Sequence, residues 1–336
     1  MGARAISGRK AAVFRSLSTP VQSGFTAMTW DATNKRATVG SNFWHHSDTY
    51  CVEVRMDGVL TGGNVTAGTA TDVVQVAAIT GYLAGATFTA AADSVASITK
   101  ATTGSNRIVY AITYQAAGIS SVAGTSGPAS VTIGAAGGPP FIPVGSIALA
   151  FVSRLDTAST IVTAAEISFT SFGGKQWAGN PSHNEVRPLL GRLDFITLPG
   201  AVHTGSTYPA IYWRGYNFAN NFAKIGQLKN WKIGITTNRE EATTQNSGRD
   251  ESDRGRSSHS FTADEYVSEI APTAFDQENA NEADIIVKMW IDENNATVTY
   301  YAAQMSLDCD FDIPQGDKSS NSVTGNITGY VEKFTA

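Results

Sequence analysis

Cysteine is almost missing from this 336-residue chain: only Cys51 and Cys309 occur, far apart and each in an alternating, strand-like context where a small buried hydrophobe fits. A disulfide framework is thereby excluded. Long apolar runs are missing as well. Nothing approaches the roughly 20 apolar residues of a membrane-spanning helix; the longest candidate, FIPVGSIALAFV at 141–152, reads as a buried strand. The opening MGARAISGRK has no apolar signal-peptide core, and Ile6 stands where a myristoylation motif needs Ser or Thr. The expectation is a protein made in the cytoplasm that neither crosses a membrane nor is anchored to one.

Motifs that carry chemistry are equally scarce. There is no G-x-S-x-G elbow, no Walker loop and no G-x-G-x-x-G after a strand. The histidines are His45, His46, His183, His203 and His259. The adjacent pair His45-His46 would point to opposite faces of a strand, and no nearby cluster supplies zinc-like spacing. His203 falls in a turn-rich stretch and reads as a hydrogen-bonded loop residue. Asp308, Asp310 and Asp312 open like an EF-hand loop, but Ile313 replaces the required Gly, Pro314 follows, and position twelve is Ser319. Glu240-Glu241 and Asp250-Glu251 could pair for glycoside chemistry, yet they lie where preorganised geometry is least expected. The reading is therefore no enzyme, no cofactor and no metal.

What is present is a β-rich composition, with abundant Gly, Thr, Ser, Ala and Val. Net charge is −5, unevenly spread: +3 over residues 1–195 and −8 over 196–336, which argues against a nucleic-acid grip in the C-terminal part. Residues 1–57 hold strand-like pieces at 10–17 and 49–58, and read as an N-terminal arm or as part of a larger C-terminal domain. Composition shifts after Gly58. Only Asp72, Asp93, Asp156, Lys100, Arg107 and Arg154 are charged between 58 and 165, which marks a small accessory module. Within it, Thr71 or Asp72 is placed to cap a short helix through Val73, Val76, Ala77, Tyr82 and Leu83, ending near Gly85, so the module reads as α+β. RIVYAITY at 107–114 puts Ile108, Tyr110, Ile112 and Tyr114 on one strand face, with SVTIG at 130–134 as its expected neighbour.

Residues 166–336 read as a second, mainly β domain of sandwich or barrel type. In LKNWKIGITT, from 228 to 237, Trp231, Ile233 and Ile235 alternate with Lys232, Gly234 and Thr236. From Asn238 to His259 no apolar residue is larger than alanine, so that segment alone lacks the burial to offset its ordering entropy. ADEYVSEIAPTAF follows and suggests a short helix stopped by Pro272. The end is a run of hairpins. In MSLDCDFDI, Met305, Leu307, Cys309, Phe311 and Ile313 share one face, and Asp308, Asp310 and Asp312 share the other.

Roughly from 195 to 336, this pattern resembles the major tail tube proteins of tailed bacteriophages. The resemblance rests on the strand with its central Trp (LKNWKIGITTNREEATT), the long polar loop, the short helix, the closing hairpins with the proline turn FDIPQGD, and the strand VTGNITGYVEKF. The GGPPFIPVGSIALAFV strand of the middle module looks like the extra outer domains that some tail proteins carry. The resemblance implies a virion protein of the phage tail that assembles six to a ring. The rings stack into a hollow tube for DNA ejection, and tape measure and tail terminator proteins are further partners. Under that implication Arg239, Glu240, Glu241, Arg249, Asp250, Glu251, Asp253, Arg254 and Arg256 form an assembly loop making intersubunit pairs. Asp308, Asp310 and Asp312 would line a lumen that repels phosphates, so that DNA passes without sticking. The rival readings are a β-rich surface adhesin, capsid decoration or carbohydrate-binding protein, and a glycoside hydrolase resting on the acidic pairs alone.

Overall fold

Strand Ala11–Ser16 pairs along both edges, with Phe222–Leu228 on one side and with Val287–Trp290 on the other. It thereby closes a six-stranded antiparallel barrel. The order is Ala11–Ser16, Phe222–Glu241, Ser252–Tyr266, Ser320–Phe334, Tyr300–Asp312, Ile285–Trp290 and back to the first. This is a computed structural model, and it describes residues 11–16, 21–40, 43–45, 51–102, 104–168, 175–178, 185–205, 207–218, 222–241, 252–266, 285–290, 300–312 and 320–334.

A barrel of so few strands is filled by its own side chains. Phe261, Ala263, Val287, Met289, Ala303 and Met305 fill this one, with Trp231, Ile233, Tyr301, Ile327 and Val331 packed around them. Val287 and Met289 alternate with Ile286, and Ala303 and Met305 with Ala302, so these two strands are apolar on both faces, the first set turned to this core and the second outward.

The outer wall of the barrel carries a second layer of short sheets built from two distant parts of the chain. Glu185–Arg187, Arg192–Asp194, Arg36–Thr38 and Thr29–Asp31 form one sheet, while Ile211–Arg214 joins Thr26–Ala27 to Glu53–Met56 in another. Their shared core is Met28, Ala37, Trp44, Leu193, Phe195, Ile211 and Trp213, with Trp44 edge-on to Trp213 at 5.8 Å. Leu189 reaches the barrel at Ile286 and Ala302. Beside it, Arg187 Nη1 donates to Glu332 Oε1 at 3.1 Å. Glu332 is buried, and burial raises its pKa although Arg187 pulls the other way. Arg187→Ala would strand that carboxylate. The expected loss is about 2 to 3 kcal/mol, below the cost of breaking a fully buried pair because Arg187 is itself partly in water. Urea denaturation followed by tryptophan fluorescence measures it.

The module that begins at Gly58 is a β structure. Gly58–Gly62, Ile79–Leu83 and Ala86–Ala90 form one sheet; Val65–Ala67, Val74–Val76 and Asp93–Val95 form a second. Gly118–Ala123, Arg107–Gln115, Ile147–Leu155 and Ile167–Ser168 form a third. The helix expected after Asp72 is replaced by strands Val74–Val76 and Ile79–Leu83. The cause is visible in the residues. Val74 and Val76 are buried around an exposed Gln75, a period of two, and β-branched side chains favour it. Asp72 at φ 55° does not cap a helix, and Ala84-Gly85, both at positive φ, is a two-residue hairpin turn rather than a helix end.

Two further expectations are corrected. Arg107–Gln115 pairs with Gly118–Ala123 and Ile147–Leu155, not with 130–134. It is a central strand whose Tyr110 and Ile112 join one core and whose Val109 and Ala111 join another. Asp264, Glu265 and Tyr266, expected to begin a short helix, end the strand Ser252–Tyr266 in register with Ser322, Asn321 and Ser320. The rest of that expected helix lies outside the described residues. Among the described residues no helix is long and apolar enough to cross a membrane.

Candidate functional site

Two strands of the barrel outrun their neighbours, and the surplus makes the candidate site. Phe222–Glu241 is 20 residues long, yet its pairing with the closing strand stops at Leu228. Tyr300–Asp312 pairs with Ile285–Trp290 only through Met305. Residues 228–235, 259–266, 320–327 and 305–312 therefore form a four-stranded sheet. Its outer strands, 230–241 and 306–312, have no further partner among the described residues. These two edges run in opposite directions, because three antiparallel pairings separate them.

One face of this sheet is the barrel core. The register crosses the other face in polar rows: Lys232, Thr262 and Thr324 in one, with Asp308 the register partner of Thr324, and Gly234, Ser260, Asn326 and Ser306 in the next. Lys232, Thr262, Thr324, Ser260 and Asn326 are exposed. Asp310 and Asp312 are register partners of Ser322 and Ser320, so the three aspartates lie along one edge of that sheet.

Beyond the sheet the first hairpin continues as a two-stranded ribbon. Thr236 pairs with Ser258, then Thr237 with Ser257, Arg239 with Arg254, Glu240 with Asp253 and Glu241 with Ser252. The segment expected to gain order only against a neighbour is thus a paired ribbon over these residues. Arg256 lies within it, whereas Arg249, Asp250 and Glu251 lie outside the described residues. The register sets Arg against Arg and a glutamate against an aspartate, and like charges directly opposite destabilise an antiparallel pair. No group of three or more His, Cys, Asp or Glu that could hold a metal ion occurs among the described residues.

Neither a family model nor a curated protein matches this chain. Its function has to be argued from the geometry.

Two constellations were not anticipated from the sequence. In the module, Arg154 is fully buried. Its Nη1 donates to Glu166 at 2.8 Å, and its Nη2 donates to Asp72 at 3.1 Å and to the Ser159 carbonyl at 2.7 Å. Its Nε donates to the Ile98 carbonyl at 3.1 Å. The signal was one cation in the apolar run IALAFVSRL. At the start of the module, Asp57 is buried, with Oδ1 lacking a hydrogen-bond partner among the described residues. Asp57 stands at the end of the strand-like stretch 49–58, and nothing local marks it. His203, expected as a hydrogen-bonded loop residue, is buried with Nε2 3.0 Å from the Ser146 carbonyl.

Proposed function

We propose that this chain is a self-assembling virion subunit, a bacteriophage tail tube protein whose copies join edge to edge into rings that stack. The observation that carries the reading is the four-stranded sheet whose two oppositely directed edges have no partner strand among the described residues. An edge of that kind is a liability in a monomer. Rotating a copy about an axis beside the sheet brings its 306–312 edge against the 230–236 edge of the next, antiparallel like the pairings within the barrel. The contact is heterologous, so repetition closes a ring when the rotation divides a full turn. The polar rows then face the axis. They carry Asp308, Asp310 and Asp312, with Lys232 as the one cation among the described side chains of these rows, a surface on which a phosphate backbone finds little to release counterions against.

The ribbon supports stacking. A neighbouring copy that brings opposite charges alongside Arg239, Glu240, Asp253 and Arg254 gives these residues an intersubunit role. The reading includes no catalysis, and the module from 58 lies on the outside. Negative-stain electron microscopy of concentrated protein tests it: rings or tubes with a central channel are expected. Persistent monomers at all concentrations, with binding to a glycan array, would instead favour a surface adhesin.

A further inference from the structure

Asp57 holds three parts of the molecule at once. Its amide donates to the Ala210 carbonyl of the second layer at 3.0 Å. Its carbonyl accepts from Gln176 Nε2, on the segment that leaves the module, at 2.8 Å. Its side chain lies under the Ala84-Gly85 turn of the module, whose two amides act on the carboxyl. The turn is clamped from its other side as well: Arg55 Nη1 donates to the Gly85 carbonyl at 2.8 Å, and its guanidinium is stacked between Phe25 and Tyr82. The fit leaves no slack, since a Cβ on Gly85 would lie 2.8 Å from Phe25 Cβ and 3.2 Å from Tyr212 Cγ.

The cations nearby are committed elsewhere. Arg55 and Arg214 both pair with Glu53, and Arg214 also lies over the Phe25 ring. Lys175 donates to the Gly62 carbonyl and to Asn64. Among the described residues the remaining titratable group facing Asp57 is the Tyr212 phenol. Its pKa is raised, first by burial and then by the Asp57 charge. Among the described residues Asp57 is therefore a buried carboxyl with one oxygen unpartnered and no cation paired with it.

We propose that Asp57 is a proton-operated latch for the module, which sits firmly on the second layer when the carboxyl is neutral and is loosened when the carboxyl is charged. The direction follows from linkage. Burial pushes the Asp57 carboxyl up to about 6 from the ordinary value of 3.8, the two amides only partly opposing it. A carboxyl that binds its proton more tightly when seated is stabilised in the seat by acid. The preference is full below the ordinary carboxylate range and is lost as pH rises through about 6.

Hydrogen–deuterium exchange of the full chain between pH 5 and 8, expressed as protection factors, tests this. In the wild type, protection across the 79–90 hairpin should fall with rising pH, by about tenfold in the seating equilibrium over this range, the other factor of about ten given by the two-unit pKa difference being lost below pH 5. Asp57→Asn should hold the high protection at every pH. Gly85→Ala should lower protection at every pH, because the clamp is broken sterically. Equal pH dependence in the wild type and Asp57→Asn would overturn the proposal. So would a carbon-13 titration of the wild-type Asp57 carboxyl near 4, a measurement that stands even where a variant fails to fold.

Discussion

Arg154→Met is expected to unfold the accessory module while leaving the barrel folded. The methionine fills much of the arginine's volume, so the loss is electrostatic. Glu166 and Asp72 lose their cation, and the carbonyls of Ile98 and Ser159 lose their donor. Breaking a buried pair from one side costs about 3 to 5 kcal/mol, a large share of what a module of this size has to spend. Two thermal transitions are expected in calorimetry, with the lower one displaced or absent in the variant. Adding Glu166→Gln should restore part of the loss, because it removes one uncompensated charge while its amide oxygen still accepts from Thr163. An unshifted module transition would show that water reaches these carboxylates.

Trimming the ribbon should abolish stacking without touching the subunit. Thr236 and Ser258 are register partners, and the pairing of Ser252–Tyr266 with the rest of the barrel begins at His259. Removing residues 237–257 and joining the strands through Asn-Gly therefore closes the hairpin with a two-residue type I′ turn at a position already in register. Melting of the monomer should change by less than about 1 kcal/mol, the scale of surface changes, because the deleted residues include no apolar side chain larger than alanine. If the ribbon joins rings, the variant should form single rings at most and no tubes by electron microscopy. Tubes of normal length would remove the ribbon from the assembly.

Alternation made the closing hairpins legible. Met305 on one face and the aspartates on the other predicted the 305–312 part of the strand Tyr300–Asp312, which runs on without the break expected before Met305, and Trp231 and Ile233 predicted a core-facing strand. What the sequence hid was non-local. Ala11–Ser16 reads as any short apolar strand, and nothing within it says that its partners lie beyond residue 220. The same holds for Asp57, whose neighbours at 84–85, 176 and 210 are brought together only by the fold. The misread helix has a different cause. Val73, Val76 and Ala77 fit a helical period about as well as Val74, Gln75 and Val76 fit a strand, and β-branched content rather than spacing decides such short runs. The edges that carry the functional reading were visible only as strand lengths. Their exposure depends on where each partner stops, and a single strand's pattern does not contain that.

Where the module joins the second layer, the incoming and outgoing chains touch: Val59 is bridged in parallel to Trp177, and Gly58 is so close to Ala178 that a Cβ would lie 2.5 Å from its nitrogen. A hundred-odd residues thus leave and return through one doorway. The module is a cassette, removable across a linker of a few residues and replaceable by any domain whose two ends lie side by side. If copies of this chain line a tube, each exchange would display its cargo once per subunit along the whole outer surface.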